Sequence, residues 1–199
     1  MGLTIEYESG QTPLSEEEME GLLIPTITTR EELDEFEQQN IEKALELYLY
    51  ARKFKVDKIL TEDFINQVHV KMLGDVWSWA GQFRTSEKTI GIPWHQVPTR
   101  LRQLIGDCKY WIEQKTYSDI EIAIRFKHEL VAIHLFPNGN GRHSRLMADI
   151  VMKHIFNKPI FTWGHKNIVD KGKTRSTYIK SLKNGDNGDF EDLIAFAQS

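Results

Sequence analysis

Residues 134–145 read His134-Leu135-Phe136-Pro137-Asn138-Gly139-Asn140-Gly141-Arg142-His143-Ser144-Arg145. An imidazole, a glycine-containing turn and two arginines therefore lie close together in the chain. Gly139 and Gly141 can adopt left-handed conformations that bring main-chain N–H groups close to an anion. A helix that restarts after this turn adds unpaired N–H groups and the positive end of its dipole. The segment therefore predicts an anion-binding loop between two helices.

The charged side chains of this loop predict what it does with an anion. Arg142 and Arg145 are three residues apart, so both lie on roughly one face of the second helix and can donate to phosphate oxygens. His134 stands at the end of the first helix, where an imidazole can take a proton from a hydroxyl group. These residues predict a polyphosphate site with a general base beside it.

Helical patterns extend on both sides of the loop. Apolar residues recur at helical spacing before the loop, from Ile120 to Ile133, and after it, from Leu146 to Ile155. Ser15 with Glu18 and Thr29 with Glu32 have the spacing of capping boxes, which predicts helices at about 16–23 and from about 30 to Phe54. Further helices are predicted after Thr61, at Arg100–Lys115 and around Phe190–Phe196.

The stretch from Trp77 to Pro98 has a different character. Its β-branched residues alternate with glycine and proline, which favours a small β-hairpin or an irregular flap over a helix. We therefore predict one all-α domain with a short β element.

Composition limits the functional classes. The chain has 199 residues, 40% of them hydrophobic, which is enough for one compact core. Its net charge of −4 argues against a general nucleic-acid or membrane binder. Cys108 has no cysteine to pair with, which fits a reducing compartment. With no apolar signal segment or membrane-length apolar run, we expect a cytoplasmic protein.

The loop also resembles a known family signature. It matches the Fic pattern H-x-F-x-(D/E)-G-N-G-R-x-x-R at every defined position except Asn138. The segment Trp79–Arg84 is similar to the entry of the Fic flap, and Glu20–Pro25 resembles the mobile mystery protein B subgroup. The resemblance implies a Fic-fold helical bundle with a short β-hairpin flap. It further implies an N-terminal segment at 1–28, carrying an inhibitory helix, and a Fic domain at 29–199.

The resemblance implies transfer of AMP from ATP to a Ser, Thr or Tyr hydroxyl of a target protein. His134 would be the general base. The backbone of 139–142, which includes Gly139 and Gly141, would bind the α- and β-phosphates with the Asn140 side chain. Arg142 would steady the leaving pyrophosphate, and Arg145 would hold the γ-phosphate. Such chemistry depends mainly on positioning and on neutralisation of charge.

Asn138 departs from the signature, whose acidic residue holds Mg²⁺ in the family. An amide oxygen can ligate Mg²⁺ weakly but carries no negative charge. Three alternatives to AMP transfer therefore stay open: a kinase-like phosphate transfer, de-AMPylation, or a nucleotide-binding regulatory module with weak catalysis.

The resemblance also carries expectations about regulation and partners. Glu20 with Gly21 matches the end of the inhibitory motif (S/T)-x-x-x-E-(G/N), which predicts a Glu20–Arg145 ion pair; the alternative is a solvated glutamate on a short acidic helix. The partners expected are a hydroxyl-bearing protein and a small antitoxin-like or regulatory protein. A flap would dock the target as an added strand, and its expected contacts are Thr85, Thr89, Ile90, Gly91, Ile92 and Trp94.

Overall fold

The structure, a computed structural model, describes residues 13–164 and 171–199, and only the backbone of 171–175. Its helices are α1 (Glu16–Met19), α2 (Arg30–Leu45), α3 (Val56–Ile59), α4 (Glu62–Leu73), α5 (Val97–Gln114), α6 (Asp119–Ile133), α7 (Asn140–Ile150), α8 (Lys171–Asp186) and α9 (Glu191–Gln198). Two of them continue as π-helical turns, α2 through Glu46–Ala51 and α7 through Val151–Ile155. A 3₁₀ turn, Trp94–Gln96, leads into α5.

Side-chain caps set where several helices begin. Ser15 and Thr29 each accept from the backbone three residues on, and Glu18 and Glu32 return the bond, so both predicted capping boxes are confirmed. Thr61 caps α4 by accepting from the Phe64 N–H, without a bond in return. These bonds satisfy N–H groups that the first helical turn leaves without intrahelical acceptors.

The first helix is shorter than predicted, because α1 ends at Met19 rather than near residue 23. Beyond it, Leu22 forms an isolated antiparallel bridge with Trp77. Gly21 lies so close to Trp79 that a Cβ there would come within 2.5 Å of the indole ring. After α1, residues 21–22 therefore lie alongside residues 77–79.

The core is built around α6, which packs against α5, α7 and α9 and buries residues on several sides. Helix α7 also packs on α4, which in turn packs on α2. The predicted all-α fold is confirmed, and this arrangement fixes the ends of α6 and α7 inside the bundle. The loop between them is therefore held by the core on both sides.

The predicted β-hairpin is wrong, and the irregular flap is what forms. Residues 78–93 are turns and bends without a strand. The Arg84 guanidinium donates hydrogen bonds to the Ser86 and Ile92 carbonyls. These carbonyls are therefore not available as acceptors for a hairpin ladder. Gly91 has φ +107°, and Pro93 has no N–H to donate.

Helix α8, which runs to Asp186, was not predicted from the sequence. The α8 sequence is rich in Lys, Ser, Thr and Gly and carries little apolar periodicity. Tertiary contacts hold it instead, since Tyr178 and Leu182 pack against the core. Across residues 13–164 and 171–199, we find no helix of the length and apolarity that crossing a membrane requires.

Candidate nucleotide site

The break between α6 and α7 is a tight, internally bonded loop. His134 ends α6 in the left-handed conformation, with φ 59° and ψ 67°, and Gly139 opens α7 with φ 77°. A non-glycine residue in this conformation costs about 1 kcal/mol or more, so the surroundings must hold it there. The Asn140 side chain closes the loop, because its oxygen accepts from Phe136 N at 2.9 Å and its amide donates to Phe136 O at 2.7 Å.

This clamp revises the role expected of Asn140. Both polar groups of its side chain are engaged by the Phe136 backbone, so the side chain shapes the loop rather than reaching for a phosphate. The backbone N–H groups of residues 140–142 belong to the first turn of α7, where no intrahelical acceptor is available. These main-chain donors at a helix start are groups to which an anion could bind.

His69 of α4 supports the loop from below. Gly81 N–H donates to its Nδ1 at 2.9 Å, so the proton is on Nε2, which donates to the Asn138 carbonyl at 3.0 Å. The ring stacks on Phe136 with centroids 3.8 Å apart, and a Cβ at Gly139 would lie 3.1 Å from Nε2. Burial lowers the pKa of His69 well below its ordinary value, helped by His143. A neutral imidazole of fixed tautomer thus holds the loop.

His134 is fixed through its backbone by Arg84. The buried guanidinium donates from Nε to the His134 carbonyl at 2.6 Å and also reaches the Ile133 carbonyl. Burial lowers the pKa of His134 to about 4, and the Arg84 and Lys88 cations act in the same direction. The imidazole is therefore neutral at pH 7 and able to accept a proton.

The flap passes directly over His134. A Cβ added at Gly91 would lie 2.6 Å from the His134 Cβ, so the residue there must be glycine for contact reasons as well as for its φ. Thr85, Thr89 and Gly91 are exposed, and Ile92 is partly buried. Ile90 and Trp94 expose 50% and 41% of their surface. The flap residues expected to dock a target are thus largely accessible, and Gly91 among them lies against His134.

The two signature arginines differ in their partners. Arg142 pairs with Glu37 of α2 at 2.7 Å, and the other oxygen of this buried carboxylate accepts from Trp77 Nε1 at 2.7 Å. Arg145 donates to the Gly141 carbonyl and lies over the Tyr178 ring. Within the described residues, no carboxylate lies within ion-pair distance of Arg145.

The predicted Glu20–Arg145 pair is therefore wrong. Glu18 anchors α1 to the flap, accepting from Ser86 Oγ at 3.0 Å and pairing with Lys88. This docking leaves Glu20, at the end of α1, lining a cavity of about 370 Å³ that Pro137 of the loop also borders. Glu20 thus lies near the loop without neutralising its second arginine.

Asn138 fits a protein-held metal poorly. Its side-chain oxygen accepts from Gly139 N–H, and its carbonyl accepts from His69. Among the described residues no cluster of three or more His, Cys, Asp or Glu side chains could hold a metal ion. The loop offers a neutral amide whose oxygen is already engaged, so any metal ion would have to be held chiefly by the phosphates.

Sequence reasoning missed three residues that support the site, which are Arg84, His69 and Glu37. A signal for Glu37 was present, because it occupies the core-facing stripe of α2 with Leu33 and Ile41. A charged residue at such a position is rarely buried without a partner. Arg84 and His69 reach the loop through bonds to the His134 and Asn138 carbonyls, which are far away in the chain, and no local pattern indicates such bonds.

The chain is similar to known proteins in sequence. Residues 59–152 match the family model described as Fic/DOC family. "Protein adenylyltransferase fic-1" of Caenorhabditis elegans is 24% identical over 88% of this chain and 33% of its own length. "Protein adenylyltransferase Fic" of Nematostella vectensis is 24% identical over 82% of this chain and 37% of its own. The chain thus spans about a third of the length of these curated relatives.

Solved structures agree with the fold. Fic-1 of C. elegans, residues 134–508, superposes with a TM-score of 0.67 at 25% identity, covering 90% of this chain and 51% of that one. The BepC protein of Bartonella tribocorum, solved with bound AMPPNP, gives 0.66 at 15% identity over 92% of this chain and 97% of its own.

We predict that His134 titrates far below the usual histidine range. NMR titration of the imidazole signals should give a midpoint near 4 for His134, and Lys88→Gln should raise it by removing a nearby cation. His143 is an internal control, because burial alone lowers its pKa to about 4 and Lys88 does not contribute. A His134 midpoint near 6.5, or equal shifts of both signals, would contradict the assigned environment.

We predict that Glu37 stabilises the fold by joining α2 to Arg142 and Trp77. Glu37→Ala should lower the free energy of unfolding by about 2–3 kcal/mol, because it leaves two donors without their acceptor. Urea denaturation measures this loss. Glu35→Ala, on the exposed face of the same helix, should change stability by less than about 0.5 kcal/mol. Equal effects of the two substitutions would refute the role given to Glu37.

Proposed function

We propose that this chain, whose residues 59–152 match the Fic/DOC family model, transfers AMP from ATP to a Ser, Thr or Tyr hydroxyl of a target protein. The observation that carries the proposal is the α6–α7 loop. It combines a neutral imidazole, a helix N-terminus and two arginines at one place in the bundle.

In the proposed reaction, the target hydroxyl oxygen attacks the α-phosphorus of ATP. The bond from that phosphorus to the bridging oxygen breaks, and pyrophosphate leaves. His134 takes the hydroxyl proton. Its low pKa keeps it neutral before the nucleotide binds, and the negative charge of the phosphates would then raise its basicity.

The other loop residues bind and orient the phosphates. Main-chain N–H groups of residues 140–142 would hold the α- and β-phosphates, and Gly141, where an added Cβ would meet open space, leaves the main chain accessible to them. Arg142, oriented by Glu37, would stabilise the leaving pyrophosphate, and Arg145 would hold the γ-phosphate.

The target would dock on the flap beside His134. Arg84 already occupies the carbonyls of Ser86 and Ile92, so only part of the flap backbone could pair with an added strand. The exposed side chains of Ile90 and Trp94 would supply apolar contacts.

We propose that the N-terminal segment 1–28 regulates this domain. Its helix α1 is seated on the flap by Glu18, whose carbonyl also accepts from Trp79 Nε1 at 2.9 Å. In this position α1 borders the cavity beside Pro137, where it would hinder target docking. An antitoxin-like partner and a cytoplasmic location stay predictions.

Labelled ATP tests the proposed reaction. Protein incubated with lysate and ATP labelled on the α-phosphate should label a target, whereas ATP labelled on the γ-phosphate should not. His134→Ala should lower the labelling rate by roughly 10²–10⁴-fold, because it removes the base. Transfer of the γ-label would instead indicate a kinase-like reaction, and no transfer at all would favour a binding module.

The dependence of labelling on Mg²⁺ tests whether Asn138 contributes to metal binding. Asn138→Asp adds a carboxylate at the family's acidic position, so it should lower the Mg²⁺ concentration for half-maximal labelling by roughly tenfold. Asn187→Asp, on an exposed turn, is the matched control and should change nothing. Labelling that is indifferent to both Mg²⁺ and Asn138→Asp would remove any metal role from this position.

A further inference from the structure

A second polar cluster lies beside the loop, where α6, α7 and α8 meet. Lys127 of α6 is fully buried, and its Nζ hydrogen-bonds the Tyr178 hydroxyl of α8. The same Nζ atom lies 4.4 Å from the centroid of the Tyr178 ring. Arg145 of α7 lies over that ring as well, with Cζ 5.8 Å from the centroid. The Lys127 amine and the Arg145 guanidinium therefore share one aromatic side chain.

Among the described side chains, none gives this cluster an acidic ion-pair partner. Within the described residues, neither Lys127 nor Arg145 has a carboxylate oxygen within 4.0 Å, whereas Arg142 is paired with Glu37. Asp149 acts electrostatically on Arg145, but its carboxylate oxygens accept from Phe161 N and Trp163 Nε1. Burial disfavours the charged form of an amine that has no acidic partner, so an anion bound from outside would complete this cluster.

The cluster is placed where the far end of a polyphosphate would lie. Lys127 precedes His134 by seven residues on α6, which is two helical turns along the same face, or about 10 Å. Arg145 lies one turn beyond Arg142 on α7. A nucleotide with its α-phosphate beside His134 would extend its phosphate chain toward these side chains.

We propose that Lys127 is a further phosphate-binding residue, which together with Arg145 and the Tyr178 hydroxyl forms the subsite for the terminal phosphate of the nucleotide. This inference rests on the proposed function, because it assigns residues to the nucleotide of that reaction. It differs from the expectation for Arg145 alone by adding a buried amine and a phenol from two other helices.

The environment of Lys127 gives the subsite a proton linkage. Burial lowers the pKa of the Lys127 amine well below its ordinary value, and Arg145 of α7 acts in the same direction. Tyr178, the group facing it from α8, is held neutral because burial raises the pKa of its phenol. A phosphate bound here favours the ammonium form, so ATP binding should take up a proton from solvent at Lys127.

Isothermal titration calorimetry tests the subsite. ATP and AMP are titrated into the full chain and into Lys127→Met at slightly alkaline pH, each in two buffers of different ionisation enthalpy. Lys127→Met should weaken ATP binding about tenfold and AMP binding by less than about twofold, because AMP has no terminal phosphate to reach Lys127. The buffer dependence that reports proton uptake with ATP should be present in the unsubstituted protein and reduced in the variant.

Two further variants make the result decisive. Lys153→Met is the matched control, because the Lys153 amine lies 4.5 Å from the centroid of another tyrosine ring, that of Tyr50; both affinities should be unchanged. Tyr178→Phe removes only the hydroxyl and should also weaken ATP more than AMP, which provides a second test if Lys127→Met does not fold.

The outcomes separate the two proposals. Equal loss of ATP and AMP affinity in both variants, or no loss in either, overturns the subsite while leaving the proposed function in place. If the unsubstituted protein binds neither nucleotide, the proposed function fails and the subsite fails with it.

Discussion

The site depends on one buried guanidinium. Arg84 is only 2% exposed and donates to four main-chain carbonyls, two in the flap and two at the end of α6. Because one rigid group holds both segments, the flap and the His134 backbone cannot move independently. The close approach of Gly91 to His134 follows from this arrangement, as does the absence of a hairpin ladder in residues 78–93. Burying a charge this deeply is tolerated because its donors are satisfied.

The charges around the loop are distributed unevenly. Arg84 is satisfied by carbonyls and Arg142 by Glu37, whereas Arg145 and Lys127 have no carboxylate at ion-pair distance among the described side chains. The N-terminus of α7 adds its own positive potential at the same end. Burial, together with the Arg84 and Lys88 cations, lowers the pKa of His134 and keeps its imidazole neutral. An anionic ligand would reduce the electrostatic repulsion among these groups. It would also raise the basicity of His134.

The sequence predicted the parts of the fold that local chemistry decides. Capping side chains at Ser15, Thr29 and Thr61 marked helix starts, and the 134–145 segment marked the break between α6 and α7. Contacts distant in sequence decided the rest. Helix α8 is held by packing rather than by its own pattern. The predicted hairpin does not form because Arg84 binds the flap carbonyls, and the partners of Arg84 lie up to 50 residues away.

In the candidate site, too, the sequence predicted the local residues but not those that are distant in the chain. The signature residues were found because they are adjacent in the chain, whereas His69, Glu37 and Lys127 belong to other helices and reach the loop only in three dimensions. The Asn140 side chain was predicted to bind a phosphate because of its place in the signature. In the structure it hydrogen-bonds the Phe136 backbone and stabilises the loop. The Glu20–Arg145 pair failed because α1 is anchored through Glu18 instead.

The central claim is that the start of α7 binds the phosphates of a nucleotide. An NMR titration of the ¹⁵N-labelled protein with ATP tests it most directly, since each backbone amide reports its own surroundings. The account predicts the largest shifts at the amides of residues 139–142, with smaller shifts through the neighbouring flap. Shifts confined to other surfaces, with these amides unmoved at saturating ATP, would contradict it.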